Sequence, residues 1–139
     1  MKRIAKCHCG ALSLSAEGEP DPIVMCHCDS CKRRTGTSYN LGAWFPVQDV
    51  AVEGETKVYA RTGDTNSVLE FYFCPHCGTN LYWKGPEIFP GKIGVAVGCF
   101  EDPNFPAPTR SIFGARRHRW LSMPEGVHSL VGGKFSEPE

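Results

Sequence analysis

Seven of the chain's eight cysteines stand in three tight groups, Cys7-His8-Cys9, Cys26-His27-Cys28-Asp29-Ser30-Cys31 and Cys74-Pro75-His76-Cys77. This is the spacing of thiolates that share a metal ion, and it constrains the fold more than any other feature. The two outer groups each supply a pair, and a pair plus a pair completes the closed four-sulfur shell of a structural zinc site. One half lies near the N-terminus and the other in mid-chain, so the ion would clamp distant strands and close a loop that is otherwise entropically costly. The glycine of Cys74-Pro75-His76-Cys77-Gly78 suits the tight turn that aims backbone N–H groups at the sulfurs.

The middle group supplies three sulfurs, Cys26, Cys28 and Cys31, close enough to hold one ion without long-range help. Three protein ligands leave a tetrahedral ion with an open position, which is what separates catalytic from structural zinc. Two other readings stay open: a second closed site completed by Cys99 or a histidine, and a redox-active cysteine cluster without metal. Cys99, outside the groups in an apolar run, reads as a small buried hydrophobe. Two zinc ions, one structural and one catalytic, are therefore expected.

Three thiolates make a zinc complex anionic and a weak Lewis acid, so water splitting is not the expected chemistry. A sulfur-rich ion favours an incoming sulfur ligand, and a small thiol at the open position would ionise near neutral pH and could add to an aldehyde carbon. Among the histidines inside the groups, His8, His27 and His76, each reads as a surface residue rather than a further ligand, and His27 is the best general-base candidate.

Charge and composition narrow the field. Fifteen Lys plus Arg balance fifteen Asp plus Glu, leaving no net field to hold nucleic acid or an anionic membrane. The dense basic run, Arg116-Arg117-His118-Arg119-Trp120, reads either as a solvated edge or as an anion clamp in which Arg116 and Arg117 orient carboxylates by paired hydrogen bonds. With 139 residues, 41% of them hydrophobic, the chain is long enough for one modest core. Met1 to Lys6 runs into Cys-His-Cys-Gly rather than an apolar stretch, so no signal peptide or membrane span is expected. A cytoplasmic, reducing setting follows, in which clustered cysteines are ligands rather than disulfides.

Short runs of β-formers bounded by Gly, Pro, Asn or Asp predict a mainly β chain. Strands are expected around Leu12–Ser15 and Ile23–Met25, then at 39–45, 57–61, 67–73, 80–84 and 93–99, with a hairpin turn at Thr62-Gly63-Asp64. One short helix is expected from an Asp29 N-cap through Arg34, stopped by Thr35-Gly36. The sequence predicts a single domain over 1–131 and a polar, frayed tail over 132–139.

The order Cys-x-Cys-Gly, Cys-x-Cys-x-x-Cys, Phe73-Cys74-x-x-Cys77-Gly78-Thr79-x-Leu81 and Gly98-x-Phe-Glu-Asp102-Pro103 resembles the family of glutathione-dependent formaldehyde-activating enzymes and centromere protein V. The resemblance runs from Cys7 to about Trp120. It implies a β-tent fold of packed antiparallel sheets, a structural zinc on Cys7, Cys9, Cys74 and Cys77, and a catalytic zinc on Cys26, Cys28 and Cys31. The implied activity is a carbon–sulfur lyase type resembling S-(hydroxymethyl)glutathione synthase, with glutathione and formaldehyde as partners. Many relatives carry a His-Ile pair where this chain reads Thr109-Arg110-Ser111-Ile112. The alternative reading is a zinc-stabilised, non-catalytic binding module that touches a partner through the Arg116–Arg119 patch.

Overall fold

A computed structural model of the chain describes residues 1–63 and 66–139. In chain order its strands are β1 (Lys2–Lys6), β2 (Ser13–Glu17), β3 (Ile23–Cys26), β4 (Asn40–Pro46), β5 (Val50–Glu53) and β6 (Lys57–Thr62). There follow β7 (Val68–Phe73), β8 (Asn80–Lys84), β9 (Lys92–Ala96), β10 (Arg110–Ile112) and β11 (His128–Ser129). A single α-helix, α1 (Asp29–Thr35), follows β3 among the described residues. The fold is mainly β, as the short runs of β-formers predict. The chain packs as two compact units, Met1–Asp21 with Ala43–Pro103 and Pro22–Gly42 with Asn104–Glu139. Neither unit is continuous in sequence, so no linker composition marks where one gives way to the other.

In the first unit β2 pairs antiparallel with β1 on one side and β5 on the other. Alternation decides the faces: Leu14 and Ala16 of β2 and Ala5 of β1 are buried, while the serines and charged residues between them are not. β6, β7, β8 and β9 form an antiparallel meander. The expected hairpin joins β6 to β7, with Thr62 opposite Val68; Asp64 of its turn lies outside the described residues. Within the meander Trp83 faces Gly94, and a Cβ on that glycine would lie 2.2 Å from the indole Nε1. The glycine is what lets the indole lie flat across the next strand. Trp44 meets Trp83 edge-on at 6.4 Å and Phe89 at 4.7 Å, so two of the three tryptophans are core residues. Beyond Ala96 the chain tightens into a 3₁₀ turn, Val97–Phe100, closed by Glu101 at φ 54°. The strand expected to reach Cys99 therefore stops early.

The second unit departs from the antiparallel expectation. β10 runs parallel to β3, with Ser111 opposite Met25, and parallel to β11, with Ser111 opposite Ser129. Antiparallel order is forced only where a short hairpin joins two strands, and the connections to β10 are long. The C-terminal residues, expected to fray, are tied back instead. Val131 N–H donates to Glu137 O at 2.9 Å, Leu130 bridges Pro138, and Glu139 N–H donates to Ser129 O at 3.0 Å. The exposed edge of β11 supplies acceptors that the polar composition of the tail does not reveal. No helix among the described residues is long and apolar enough to cross a membrane.

Candidate metal centres

The first sulfur group is built by two turns of the same design. Cys7 N–H donates to Leu12 O at 2.9 Å and Gly10 N–H to Cys7 O at 3.1 Å, while Cys74 N–H donates to Thr79 O at 2.9 Å and Gly78 N–H to Cys74 O at 2.9 Å. Gly10 (φ 83°) and Gly78 (φ 80°) take the left-handed backbone that closes each turn. Thr79 joins the two halves: its Oγ1 accepts the His8 N–H at 3.0 Å and its hydroxyl lies 3.3 Å from Cys77 Sγ. Sequence reasoning gave Thr79 no role, although its place straight after Cys77-Gly78 is the available signal.

Within this frame Cys9 Sγ lies 3.7 Å from both Cys7 Sγ and Cys74 Sγ, and all four sulfurs lie within 4.8 Å of one another. A tetrahedral ion with Zn–S bonds of about 2.3 Å sets its sulfurs about 3.8 Å apart, whereas a disulfide needs about 2 Å. The group fits a shared metal and not a disulfide.

Its electrostatics fit the same account. The Thr79 hydroxyl and backbone draw the Cys77 thiol down to about 5. Burial pushes Cys7 up, but the Leu12 N–H, 3.2 Å from its sulfur, and the neighbouring thiols bring it below the ordinary 9.0. Cys9, drawn down by Ala11, is nonetheless pushed up to about 11 by burial and the other sulfurs. Four thiolates held this close need a cation between them.

The second group sits where β3 hands over to α1. Cys26 and Cys31 are buried and Cys28 is half-buried, with the three sulfurs within 4.8 Å of one another. Among the described residues no fourth His, Cys, Asp or Glu joins them, so neither Cys99 nor a histidine closes the site. The expected Asp29 cap is displaced by one position: Cys28 is the N-cap, its Sγ accepting the Cys31 N–H at 3.3 Å, and Gly36 ends the helix at φ 71°. One thiol thus serves both as helix cap and as member of the sulfur group. Cys28 and Cys31 beside it, and then burial, push the Cys26 thiol well above its ordinary range; Cys31 is drawn down by Cys26 but raised overall by Cys28 and burial. This group too asks for a cation.

His27 is not the surface residue that its place between two ligands suggests. It is wholly buried, its ring 5.6 Å from Tyr39, and its Nε2 lies 3.0 Å from the hydroxyl of Ser111, itself wholly buried on β10. Its N–H donates to Ile112 O at 3.1 Å, so β10 grips the cysteine bend through both backbone and side chain. Burial, followed by the charges of Arg117, Lys32 and His118, pushes the imidazole down to about 4, and it is neutral at pH 7. His8 and His76 are exposed, as expected. Ser111 is the residue that sequence reasoning missed; a small hydroxyl in a short strand 84 positions away carries no local signal.

The basic run is largely engaged. Arg116 grips Asp29 through two bonds, Nη2 to Oδ2 at 2.9 Å and Nε to Oδ1 at 3.3 Å, and Lys32 Nζ donates to Arg116 O at 2.7 Å. These contacts stitch the 3₁₀ turn Gly114–Arg116 to α1. Arg117 Nη2 lies 2.9 Å from Glu139 Oε2. Trp120, 71% exposed, stacks on His118 at 5.5 Å. Cys99 stays outside both groups, its thiol pushed up to about 11 by burial and then by the nearby charge of Cys7 and Cys77.

Three comparisons bear on these centres. A Schizosaccharomyces pombe protein described as an uncharacterized lyase is 29% identical over 77 residues, covering 55% of this chain and 53% of that relative. The chain thus spans about half the length of that curated relative. A crystal structure of a Rhodobacter sphaeroides protein is similar with a TM-score of 0.56 and 26% identity, over 75% of this chain and 91% of that one. Residues 2–116, which hold every cysteine of both sulfur groups, match the family described as "Glutathione-dependent formaldehyde-activating enzyme". The chain belongs to the family of glutathione-dependent formaldehyde-activating enzymes.

Proposed function

We propose that the chain is a zinc-dependent carbon–sulfur lyase-type enzyme of β-tent fold, resembling S-(hydroxymethyl)glutathione synthase, that joins a glutathione-like thiol to an aldehyde such as formaldehyde. In this reading Cys7, Cys9, Cys74 and Cys77 hold a structural zinc, and Cys26, Cys28 and Cys31 hold a catalytic one. The observation that carries it is the difference in completeness: four sulfurs fill a tetrahedral shell, whereas three leave it one ligand short. Zinc held by three thiolates supplies a soft position at which a small thiol stays ionised and nucleophilic.

The chain's own residues prepare that position. Ser111 and His27 fix the bend from which Cys26 and Cys28 project, and the N-cap bond from Cys31 N–H orients Cys28 Sγ. His27, buried and bonded through Nε2, is in this account a positioning residue rather than the general base. Arg34 lowers the cost of negative charge at Cys31, and Lys32 and Arg117 add positive charge around the bend, which favours an anionic thiol. The reaction balances without oxidant or reductant. The thiol loses its proton, its sulfur bonds to the aldehyde carbon, and the carbonyl oxygen takes up a proton to give the S-hydroxymethyl adduct.

All eight cysteines are free, which suits a reducing, cytoplasmic setting. The engagement of Arg116 by Asp29 weighs against the non-catalytic module, which needs that guanidinium group for a partner. The test follows exchange between free glutathione and its formaldehyde adduct by NMR on fully metallated protein. Wild type should exceed the uncatalysed rate, and Cys28→Ser should fall to it with the fold intact. A metallated wild type no faster than buffer would sink the reading.

A further inference from the structure

We propose that Arg117 and Gly114 form a carboxylate-binding subsite that Glu139 of the same chain occupies, and that a carboxylate-bearing substrate takes it by displacing Glu139. The contact is more specific than a chance surface pair. Both side chains are about three-quarters buried, at 24% and 23% exposure. A Cβ on Gly114 would lie 1.9 Å from Glu139 Oε1 and 2.3 Å from its Cδ. No left-handed backbone requires glycine there, because Gly114 is not among the residues at positive φ. The missing side chain makes room for a carboxylate.

The subsite is coupled to the three-sulfur group by bonded contacts. The Gly114–Arg116 turn is fastened to α1 by the paired Arg116–Asp29 bonds and by Lys32 Nζ on Arg116 O, and α1 carries Cys31. A carboxylate on Arg117 and a sulfur at the open metal position therefore belong to one unit of the fold.

The occupant is attached in a way that permits exchange. Glu139 arrives on a strap whose backbone is held by Glu139 N–H to Ser129 O and Val131 N–H to Glu137 O, and whose turn is fixed by Ser136 Oγ, which accepts the Gly132 N–H and donates to Gly133 O. The Glu139 side chain leaves Arg117 by rotating about its own bonds with the strap's backbone bonds intact, so displacement costs little beyond a partly exposed ion pair. Glu139 then acts as a built-in competitor, reducing apparent affinity by the fraction of time it fills the subsite. A thiol peptide with free carboxylates suits both the arginine and the sulfur-seeking metal. That choice of substrate rests on the function proposed above; the subsite itself does not.

The experiment measures affinity by titration calorimetry on the zinc-loaded full chain, with two probes: glutathione, and glutarate, which has carboxylates but no thiol. Glu139→Gln keeps the backbone bonds of the strap and removes the competing charge. It should bind both probes about three- to fivefold more tightly than wild type, the range of a partly exposed ion pair. The double variant Glu139→Gln with Arg117→Gln should lose that gain. Unchanged or weaker affinity for both probes in Glu139→Gln overturns the proposal. So does a gain that survives in the double variant, because the carboxylate would then bind elsewhere. If wild type fails to join glutathione to formaldehyde while Glu139→Gln still gains affinity for glutarate, the subsite stands and only the reaction assigned above falls.

Discussion

The two sulfur groups gather thiols in opposite ways. Cys9 and Cys74 meet across 65 positions, held by two turns of similar design and by Thr79 between them. Cys26, Cys28 and Cys31 meet within a single bend, held by a helix cap and by the His27–Ser111 contact. An ion in the first group opposes the entropy of closing a long loop, so its binding energy is folding energy. In the second group the local chain already brings the sulfurs together, so an ion there closes no long loop and its loss is expected to leave the fold standing. Completeness and sequence distance thus both favour the proposed division, in which the closed, long-range group serves stability and the open, local one serves chemistry.

Removing one sulfur from each group is the most direct way to break this contrast, and it carries the largest expected effect. Structural zinc in small peptides contributes about 10–16 kcal/mol, as much as the whole stability of a typical domain. Cys74→Ser, at a fully buried ligand, should abolish the cooperative melting transition seen by circular dichroism. Cys28→Ser should melt within a few degrees of wild type, because a serine hydroxyl can cap α1 in place of the thiol, while zinc by elemental analysis falls from about two per chain to about one. Similar melting of the two variants would erase the distinction.

Much of the closed group was legible because its signals are local to each half: a cysteine pair, then a glycine able to take positive φ, as at Gly10 and Gly78. Short runs of β-formers bounded by turn residues were equally readable, and β8 falls where Asn80-Leu81-Tyr82-Trp83-Lys84 places it. What the sequence hid depends on distant partners. β1 reads as a charged stretch in which only Ala5 is buried, and β10 exists because β3 and β11 flank it in parallel. The burial of His27 depends on Ser111, and the engagement of Arg116 and Arg117 depends on Asp29 and Glu139, none of them a neighbour in sequence. Local chemistry announces which residues can act, and topology decides which of them are already engaged.

Ser111→Ala tests the local group alone, with an effect of intermediate size. It leaves the imidazole Nε2 of His27 buried without its partner, alongside an Nδ1 that already has none. A buried polar group stripped of its hydrogen bond costs about 1–3 kcal/mol. If the bend positions Cys26 and Cys28, that cost should appear as faster loss of one zinc to a chromogenic chelator, with the slower release from the four-sulfur group unchanged. Acceleration of both phases, or of neither, would show that Ser111 supports the fold generally and not the three-sulfur bend.

The smallest effect is expected at Asp29, where the local group meets the basic run. The Arg116 guanidinium, then Lys32, hold the Asp29 carboxyl below its ordinary value of 3.8. The sign follows from linkage. A carboxyl whose folded value is depressed stabilises the fold fully above the unfolded value and loses that contribution as pH falls through the folded one. Both partners are more than half exposed, so solvent and salt screen the pair and the stability change should be near the limit of measurement. The titration itself is the sharper readout. Followed by carboxyl ¹³C shift, Asp29 should titrate below 3.8 in wild type and move up toward the ordinary carboxylate range in Arg116→Gln, with Lys32 still holding it part of the way down. If the midpoint does not move, the guanidinium is not seated on Asp29 in solution. The Gly114–Arg116 turn would then lack its fastening to the helix that carries Cys31, and the local group would rest on the His27–Ser111 contact and the helix cap alone.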